Sequence, residues 1–285
     1  MKIAISGATG FVGKSLSTYL QKKGEQVIPL ERGLFAKKEI KQIAERIKSC
    51  AVIINLSGAP IQKRWSESYK AELRRSRVEV TRKLVQAIRL LPVKPKLFIS
   101  TSAIGYYSSV GCHDAYKNAR GAGFLSSLCV NWEREAMQTP SETRVVINRF
   151  GLVLDPSGGA LAQMSQTFPF GFGLTIGRGD QAFSWISLDD LVRALYFEIQ
   201  TPTLSGIFNL VAPETICQRT FMQQLAKKHK RFLLLPVPKV LIRLLMGQVG
   251  QVYCTGQCVR PTRLLESGFS FRHTTTAAFL ASYTL

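Results

Sequence analysis

KIAISGATGFVG (residues 2–13) sets a short apolar run directly before three glycines spaced three apart. KIAIS suits a strand buried on both faces. Val12, Leu16, Tyr19 and Leu20 then recur at helical spacing until Gly24 stops the pattern. A G-x-x-G-x-x-G run between a strand and a helix is a dinucleotide-binding signature. Gly7 permits the tight turn, Gly10 lets backbone N–H groups approach a pyrophosphate, and Gly13 lets the helix pack closely on the strand. The positive end of the helix dipole faces the anion. Gly7, Ala8, Thr9, Gly10, Phe11, Val12 and Gly13 therefore form the expected pyrophosphate loop. The loop also explains a lysine-then-apolar N-terminus that superficially resembles a signal peptide.

Outward from the loop, EQVIPL (25–30), AVIINL (51–56), KLFIS (96–100) and RVVINRF (144–150) read as further strands. Helical patterns separate them, at 40–47, 66–91 and about 121–137. Alternating strands and helices predict right-handed crossovers and a doubly wound parallel sheet, an α/β Rossmann-like fold. After residue 150 the regularity weakens. Residues 156–180 read as an irregular, glycine- and phenylalanine-rich insertion, 188–199 as a helix, GIFNLVA (206–212) as one more strand, and the remainder as two or three helices with a compact GFSF (268–271). The expected organisation is a dinucleotide-binding domain of 1–155 plus about 184–212. A small α+β C-terminal domain on the substrate side would take 156–183 plus 213–285.

A ribose-reading residue is expected about 20 positions beyond the glycine loop. Glu31 stands there with Arg32 beside it. A carboxylate would bind the ribose hydroxyls of NAD, whereas Arg32 would attract a 2′-phosphate and stack on adenine. Arg32 and the basic N-terminal half tilt the expectation to NADP(H) over NAD(H).

The net charge is +20, and it is unevenly spread. Residues 1–100 carry 21 basic and 7 acidic side chains, 101–200 carry 7 and 9, and 201–285 carry 10 and 2. Such a surface attracts anions, but no aromatic-interleaved basic run or nucleic-acid motif accompanies it, so a solvated face is the simpler reading and no nucleic-acid partner is expected. The longest apolar stretch, 232–247, is broken by Pro236, Pro238, Lys239 and Arg243, so no membrane insertion is expected. The six cysteines contain no C-x-x-C pair. Buried free thiols in a reducing cytoplasm are expected, rather than a zinc site of Cys254, Cys258 and His273. No metal is expected.

The chain resembles the extended short-chain dehydrogenases/reductases, and within them an epimerase-family subgroup of nucleoside-diphosphate-sugar epimerase-like proteins with its own C-terminal domain. The resemblance runs over essentially the whole chain. It rests on GATGFVG (7–13), NLSGAPI (55–61), RWSESYKAELRRSRVEVT (64–81), STSAIGYYSS (100–109), GFLSSLCVNWERE (123–135), NRFGLVL (148–154), SWISLDDLVRAL (184–195), FNLVAP (208–213) and TGQCVRPTRLLESGFSF (255–271). It implies that Leu56, Ser57, Gly58 and Ala59 face the cofactor, and that the substrate is a carbonyl or sugar-nucleotide-like small molecule acted on by a monomer or homodimer. Hydride-transferring members of the family use a Ser or Thr, a Tyr and a Lys, the tyrosine as acid/base. Ser102 matches the hydroxyl.

In the helix near 121–137, where the resemblance places it, no register supplies the Tyr-x-x-x-Lys pair. Taking Phe124 as the tyrosine position leaves Leu128 for lysine, and aligning on Glu133 leaves Leu125 and Cys129. Tyr106 and Tyr107, directly after the strand, are the candidate proton donors, with ordinary aromatic packing as the alternative. Tyr116 and Arg120, with Asn118 between them, read as a loop; His113 and Asp114 are titratable but not fixed in geometry. Arg149 is placed with the cofactor set, reaching an anionic group, the alternative being an ion pair to Asp189 or Asp190. Arg77 stands where related enzymes often have an active-site asparagine, and would favour an anionic ligand or be a helix-surface charge. Two functions follow: an NAD(P)-dependent oxidoreductase or epimerase with a reduced catalytic site, or an inactive NADP(H)-binding sensor.

Overall fold

The computed structural model describes residues 1–36, 39–117 and 119–284. The N-terminal half alternates β1 (Lys2–Ser6), α1 (Phe11–Lys22), β2 (Gln26–Leu30), α2 (Arg32–Ala36), α3 (Ile40–Ile47) and β3 (Val52–Asn55). Next come α4 (Glu67–Arg74), a π-helical turn (Arg75–Glu79), α5 (Val80–Leu90), β4 (Leu97–Ala103), a short β5 (Cys112–His113), α6 (Gly123–Ala136) and β6 (Arg144–Phe150). The rest contributes β7 (Leu152–Asp155), α7 (Gly159–Ser165), β8 (Phe172–Ile176), β9 (Trp185–Ser187), α8 (Leu188–Gln200) and β10 (Gly206–Leu210). Last are α9 (Gln218–Lys228), β11 (Leu233–Val237), α10 (Lys239–Met246), α11 (Gln248–Cys254), β12 (Cys258–Val259), α12 (Thr262–Glu266) and α13 (Thr276–Ala281).

Six strands form one parallel sheet in the order β10-β6-β4-β3-β1-β2. The order reverses between β1 and β3, and a parallel sheet opens a ligand crevice outside the carboxyl ends of its strands at that reversal. Strand alternation divides the core. Ile3 and Ile5 pack with Ile54, Ile99, Leu16, Leu20, Leu191 and Leu195 on one face, while Ala4 packs with Ile53, Phe98, Ile43, Leu84 and Ile88 on the other. A separate apolar cluster around Phe168, Trp185, Phe221 and Phe279 holds the chain beyond β7 to α9 and α13.

The stretch 156–180, expected to be irregular, contains α7 and β8. β8 pairs in parallel with β11, about sixty residues away, so its strand character rests on a partner that local pattern does not reveal. Beyond residue 213 the described residues hold five helices, not two or three. In GFSF, Phe269 and Phe271 form an edge-to-face pair at 4.9 Å. Among the described residues no helix is long and apolar enough to cross a membrane.

The expectation of six free thiols is corrected. Cys112 and Cys258 are disulfide-bonded, 146 residues apart in sequence, because β5 and β12 pair in parallel with these two residues in register. This removes Cys258 from any zinc set. Cys50, Cys129, Cys217 and Cys254 remain free.

Glu198 on α8 is fully buried and accepts a hydrogen bond from Asn148 Nδ2 (2.7 Å). Burial pushes its carboxyl up to about 8, only partly opposed by Asn148 and Arg144. The folded state therefore holds a proton that the unfolded chain has already released, and this contribution to stability declines as pH rises from the unfolded value of 4.5 to about 8. Glu198→Gln is expected to remove up to about 1.4 kcal/mol per pH unit from the slope of stability in that window. Urea denaturation of both proteins at pH 5.5, 6.5 and 7.5 measures the difference, and equal slopes would refute it.

Candidate dinucleotide site and the crevice beside it

The glycine loop joins β1 to α1 at the sheet's reversal. Gly7 has φ +76°, a conformation that L side chains rarely adopt, and a Cβ on it would meet the Leu56 carbonyl oxygen at 2.7 Å. A Cβ on Gly13 would lie 2.1 Å from the Gly7 carbonyl oxygen and 2.8 Å from Ala8 Cα, so the helix packs on the loop at a distance only glycine allows. Gly10 is the N-cap of α1, and its N–H donates to the Gly7 carbonyl (3.0 Å). The N–H groups of Phe11, Val12 and Gly13 find no backbone acceptor among the described residues, as at any open helix N-terminus. Thr9, Gly10 and Phe11 are exposed there. These features fit a pyrophosphate. Glu31 and Arg32 follow β2 and are both exposed.

The opposite wall is the loop after β3. Asn55, fully buried, organises it: its side-chain oxygen accepts from Ser6 Oγ (2.6 Å) and from the Ser57 N–H (3.2 Å). Its amide donates to Thr81 Oγ1 (2.7 Å), and its carbonyl accepts from Thr101 Oγ1 (2.6 Å). One residue thus ties the loop to β1 and α5 through its side chain and to β4 through its backbone carbonyl. Leu56 and Ser57 are half-buried, Gly58 is exposed and Ala59 is buried.

At the ends of β4 and β6, Glu133 of α6 is the centre of a buried network. Its carboxylate accepts from Ser102 Oγ (2.6 Å), Arg149 Nε (2.8 Å) and Arg149 Nη2 (2.6 Å). Arg149 is 1% exposed, and its guanidinium lies 3.4 Å from the Tyr106 ring centroid and 4.8 Å from that of Tyr107. Burial works to lower its pKa, but the hydrogen bonds and charge of Glu133 outweigh this and raise it. The anticipated ion pair of Arg149 with Asp189 or Asp190 is not formed. Asp190 instead holds Arg193 (2.8 Å) and accepts from the backbone of Arg272 and His273, while Asp189 holds Arg272 (3.2 Å).

The three catalytic candidates differ in their surroundings. Ser102 is buried, with its proton directed to Glu133. Tyr107 is buried, and its hydroxyl donates to Asn209 Oδ1 (2.8 Å) or the Asp114 carbonyl (3.2 Å); burial pushes its pKa up. Tyr106 is half-buried, and its hydroxyl makes no hydrogen bond among the described residues. Leu125 and Cys129, rather than Phe124 and Leu128, face the end of β4: a Cβ on Gly105 would touch Leu125 at 3.6 Å, and Cys129 Sγ approaches the Ala103 carbonyl at 3.7 Å. Burial, with the nearby Glu133 charge, pushes the Cys129 thiol up to about 11, leaving it protonated at neutral pH.

Tyr116 lies in an exposed loop and donates to Glu266 (2.7 Å). Arg120 reaches Ser127 at 3.4 Å, and Asn118 lies outside the described residues. The Asp114 carboxylate accepts from the Tyr116 and Lys117 N–H groups, while His113 is buried and stacks on Tyr107 at 5.2 Å. Sequence reasoning missed Glu133 as the network's centre, and Asn55 and Asn209 with it. Each reads as an ordinary polar residue until folding supplies partners 16 to 102 positions away.

Comparison with known proteins agrees with this geometry. Residues 3–210 match the model of the NAD dependent epimerase/dehydratase family, and 237–282 match a domain of unknown function (DUF1731). An Arabidopsis thaliana protein, "Epimerase family protein SDR39U1 homolog, chloroplastic", is 34% identical, covering 96% of this chain and 84% of its own. An epimerase family protein of Mycobacterium tuberculosis is 35% identical over 96% and 94%. Among solved structures, human epimerase family protein SDR39U1 with NADPH has a TM-score of 0.90 at 30% identity, covering 98% of both chains. MoeE5 with UDP-glucuronic acid and NAD, at TM-score 0.81 and 17% identity over 99% and 97%, shares the fold. With its glycine cradle, its parallel sheet and these relatives, the chain belongs to the NAD dependent epimerase/dehydratase family, as an NAD(P)-binding protein of the extended short-chain dehydrogenase/reductase type.

Proposed function

We propose that this protein is an NADP(H)-dependent oxidoreductase or epimerase-like enzyme acting on a small carbonyl or sugar-nucleotide-like molecule. The observation that carries the reading is the glycine cradle, whose open N–H groups and crowded Gly7–Gly13 contact are suited to a pyrophosphate. Arg32, exposed and without an ion-pair partner among the described residues, supports the phosphorylated dinucleotide, as does the NADPH in the human relative's structure. When bound, the dinucleotide supplies or accepts a hydride.

The chain's own residues do the rest. The backbone of 7–13 holds the pyrophosphate, and Leu56, Ser57, Gly58 and Ala59 form the facing wall. Tyr106 is the proton donor of this reading, because its hydroxyl makes no hydrogen bond among the described residues and its ring is held in place over the Arg149 guanidinium at 3.4 Å. Ser102 and Tyr107 serve as positioning residues, holding Glu133 and Asn209. A sensor function is the second reading, favoured by a specific observation: Leu125 and Cys129 leave α6 without the usual acid/base and lysine.

Separate titrations with NADPH and NADH, followed by nicotinamide fluorescence and thermal shift, test the cofactor. NADPH is expected to bind about tenfold more tightly, the worth of one charged contact of about 1.4 kcal/mol, and Arg32→Ala to erase the preference. Equal affinities would remove NADP(H) from the proposal. A carbonyl and sugar-nucleotide screen then separates the two functions. Turnover abolished by Tyr106→Phe supports the enzyme, and tight NADPH binding with no turnover supports the sensor.

A further inference from the structure

Arg77 is singled out by what it lacks. It lies in the π-helical turn between α4 and α5, an insertion that widens a helix and recurs at functional sites. The turn is held from below, since Thr81 Oγ1 donates to the Arg77 carbonyl (2.7 Å) and in turn accepts from Asn55. The Arg77 guanidinium lies over the loop after β3: a Cβ on Gly58 would meet its Cζ and Nη2 at 3.0 Å. The same loop touches the dinucleotide cradle through Leu56 and Gly7. Cradle, loop and guanidinium therefore form one continuous wall at the carboxyl edge of the sheet.

Only neutral acceptors meet this cation. Nη2 donates to the Ala59 carbonyl (2.9 Å) and Nη1 more weakly to Ser76 Oγ (3.4 Å), whereas a guanidinium carries five N–H donors. No carboxylate lies within ion-pair distance among the described residues; neighbouring Glu72 pairs with Arg75, and Glu79 is exposed. The Trp132 ring lies 5.5 Å away. Arg149, by contrast, is charge-paired with Glu133 through Nε and Nη2. Arg77 is half-buried, and burial lowers its pKa, so the site holds a partly desolvated cation with no carboxylate partner among the described residues. The adjoining cluster of Ala59, Trp65, Leu73 and Leu128 is apolar, and low local polarity strengthens attraction to an incoming opposite charge.

We propose that Arg77 is the anion-recognition residue of the crevice, holding a carboxylate or phosphate group of the molecule bound beside the glycine loop. The inference deepens the oxidoreductase reading by assigning the substrate a negative charge, and it rests on that reading only for whose anion is held. The remaining source is a phosphate of the dinucleotide itself.

The test uses the full-length chain at constant ionic strength, as wild type, Arg77→Met and Arg77→Lys. Malonate and inorganic phosphate are titrated by calorimetry with and without saturating NADPH, and NADPH affinity is measured for each protein. The expected result is saturable anion binding that falls at least about tenfold in Arg77→Met, the worth of one charged contact, and is largely restored in Arg77→Lys. If NADPH affinity stays within twofold across the three, the anion belongs to the substrate side. If NADPH affinity falls in parallel with malonate and phosphate, the anion is the dinucleotide's phosphate. Equal anion affinity in wild type and Arg77→Met overturns the proposal, as does a lowered melting temperature with unchanged anion affinity, which marks Arg77 as only a brace for Ala59. Failure of wild type to bind NADPH, with Arg77-dependent anion binding intact, would sink the oxidoreductase reading and leave the anion site standing.

Discussion

Gly13→Ala is expected to weaken dinucleotide binding by about 100-fold, equivalent to about 2.7 kcal/mol. The added methyl would sit 2.1 Å from the Gly7 carbonyl oxygen and 2.8 Å from Ala8 Cα, both backbone atoms with no rotamer to escape into. Either α1 moves away from β1 or the loop opens, and each change misaligns the N–H groups meant for the pyrophosphate. Overpacking of this kind also costs about 1–3 kcal/mol of folding stability. Gly10→Ala is the informative comparison, since a Cβ there meets the Gly7 oxygen at a milder 3.2 Å and the backbone is already extended at φ −75°. It should leave stability nearly unchanged. NADPH titration well below the melting temperature, beside chemical denaturation, separates the two effects. Undiminished affinity in Gly13→Ala would mean the dinucleotide does not use this loop.

Glu133→Gln is expected to destabilise the fold by about 3–5 kcal/mol, because removing one partner leaves the buried Arg149 charge without compensation. Three donors converge on that carboxylate, from Ser102 once and Arg149 twice, and Arg149 Nη1 is already buried with no partner. The amide keeps the shape of Glu133 but must turn an N–H₂ toward one of those donors. The double replacement Glu133→Leu with Arg149→Met should recover much of the loss, since well-packed apolar groups avoid burying charge. Urea denaturation of the single and double variants measures the coupling. A Glu133→Gln protein within about 1 kcal/mol of wild type would show that the network contributes little, as at an exposed pair.

The fold was legible where its cause was local. KIAIS followed by GATGFVG is a strand, a turn and a helix because a continuous apolar run, a left-handed glycine and helical spacing all act within a dozen residues. The strands read at 144–150 and 206–212 announced themselves in the same way, the second forming over Gly206–Leu210. The β5–β12 pair did not, since two-residue strands carry no periodicity and their pairing depends on a chain reversal 146 residues long. For the same reason the cysteines looked free. β8 looked like loop because its strand, in a glycine- and phenylalanine-rich stretch, forms only against β11.

The candidate site divides along the same line. Composition and spacing determined that this chain carries a dinucleotide loop and a parallel sheet to hold it, and the family resemblance located the helix, 123–136, that lacks a Tyr-x-x-x-Lys pair, because each is a property of neighbouring residues. Which polar groups are free was decided only by tertiary structure. Ser102 and Tyr107 are candidate catalysts in one dimension, but packing gives each a buried partner, Glu133 at 31 and Asn209 at 102 positions' distance. Arg149 and Arg77 are indistinguishable as letters. Folding surrounds the first with a carboxylate and two aromatic rings, and leaves the second, half-buried, against carbonyl, hydroxyl and tryptophan, because the partners of a charge are chosen by the meeting of strands and helices.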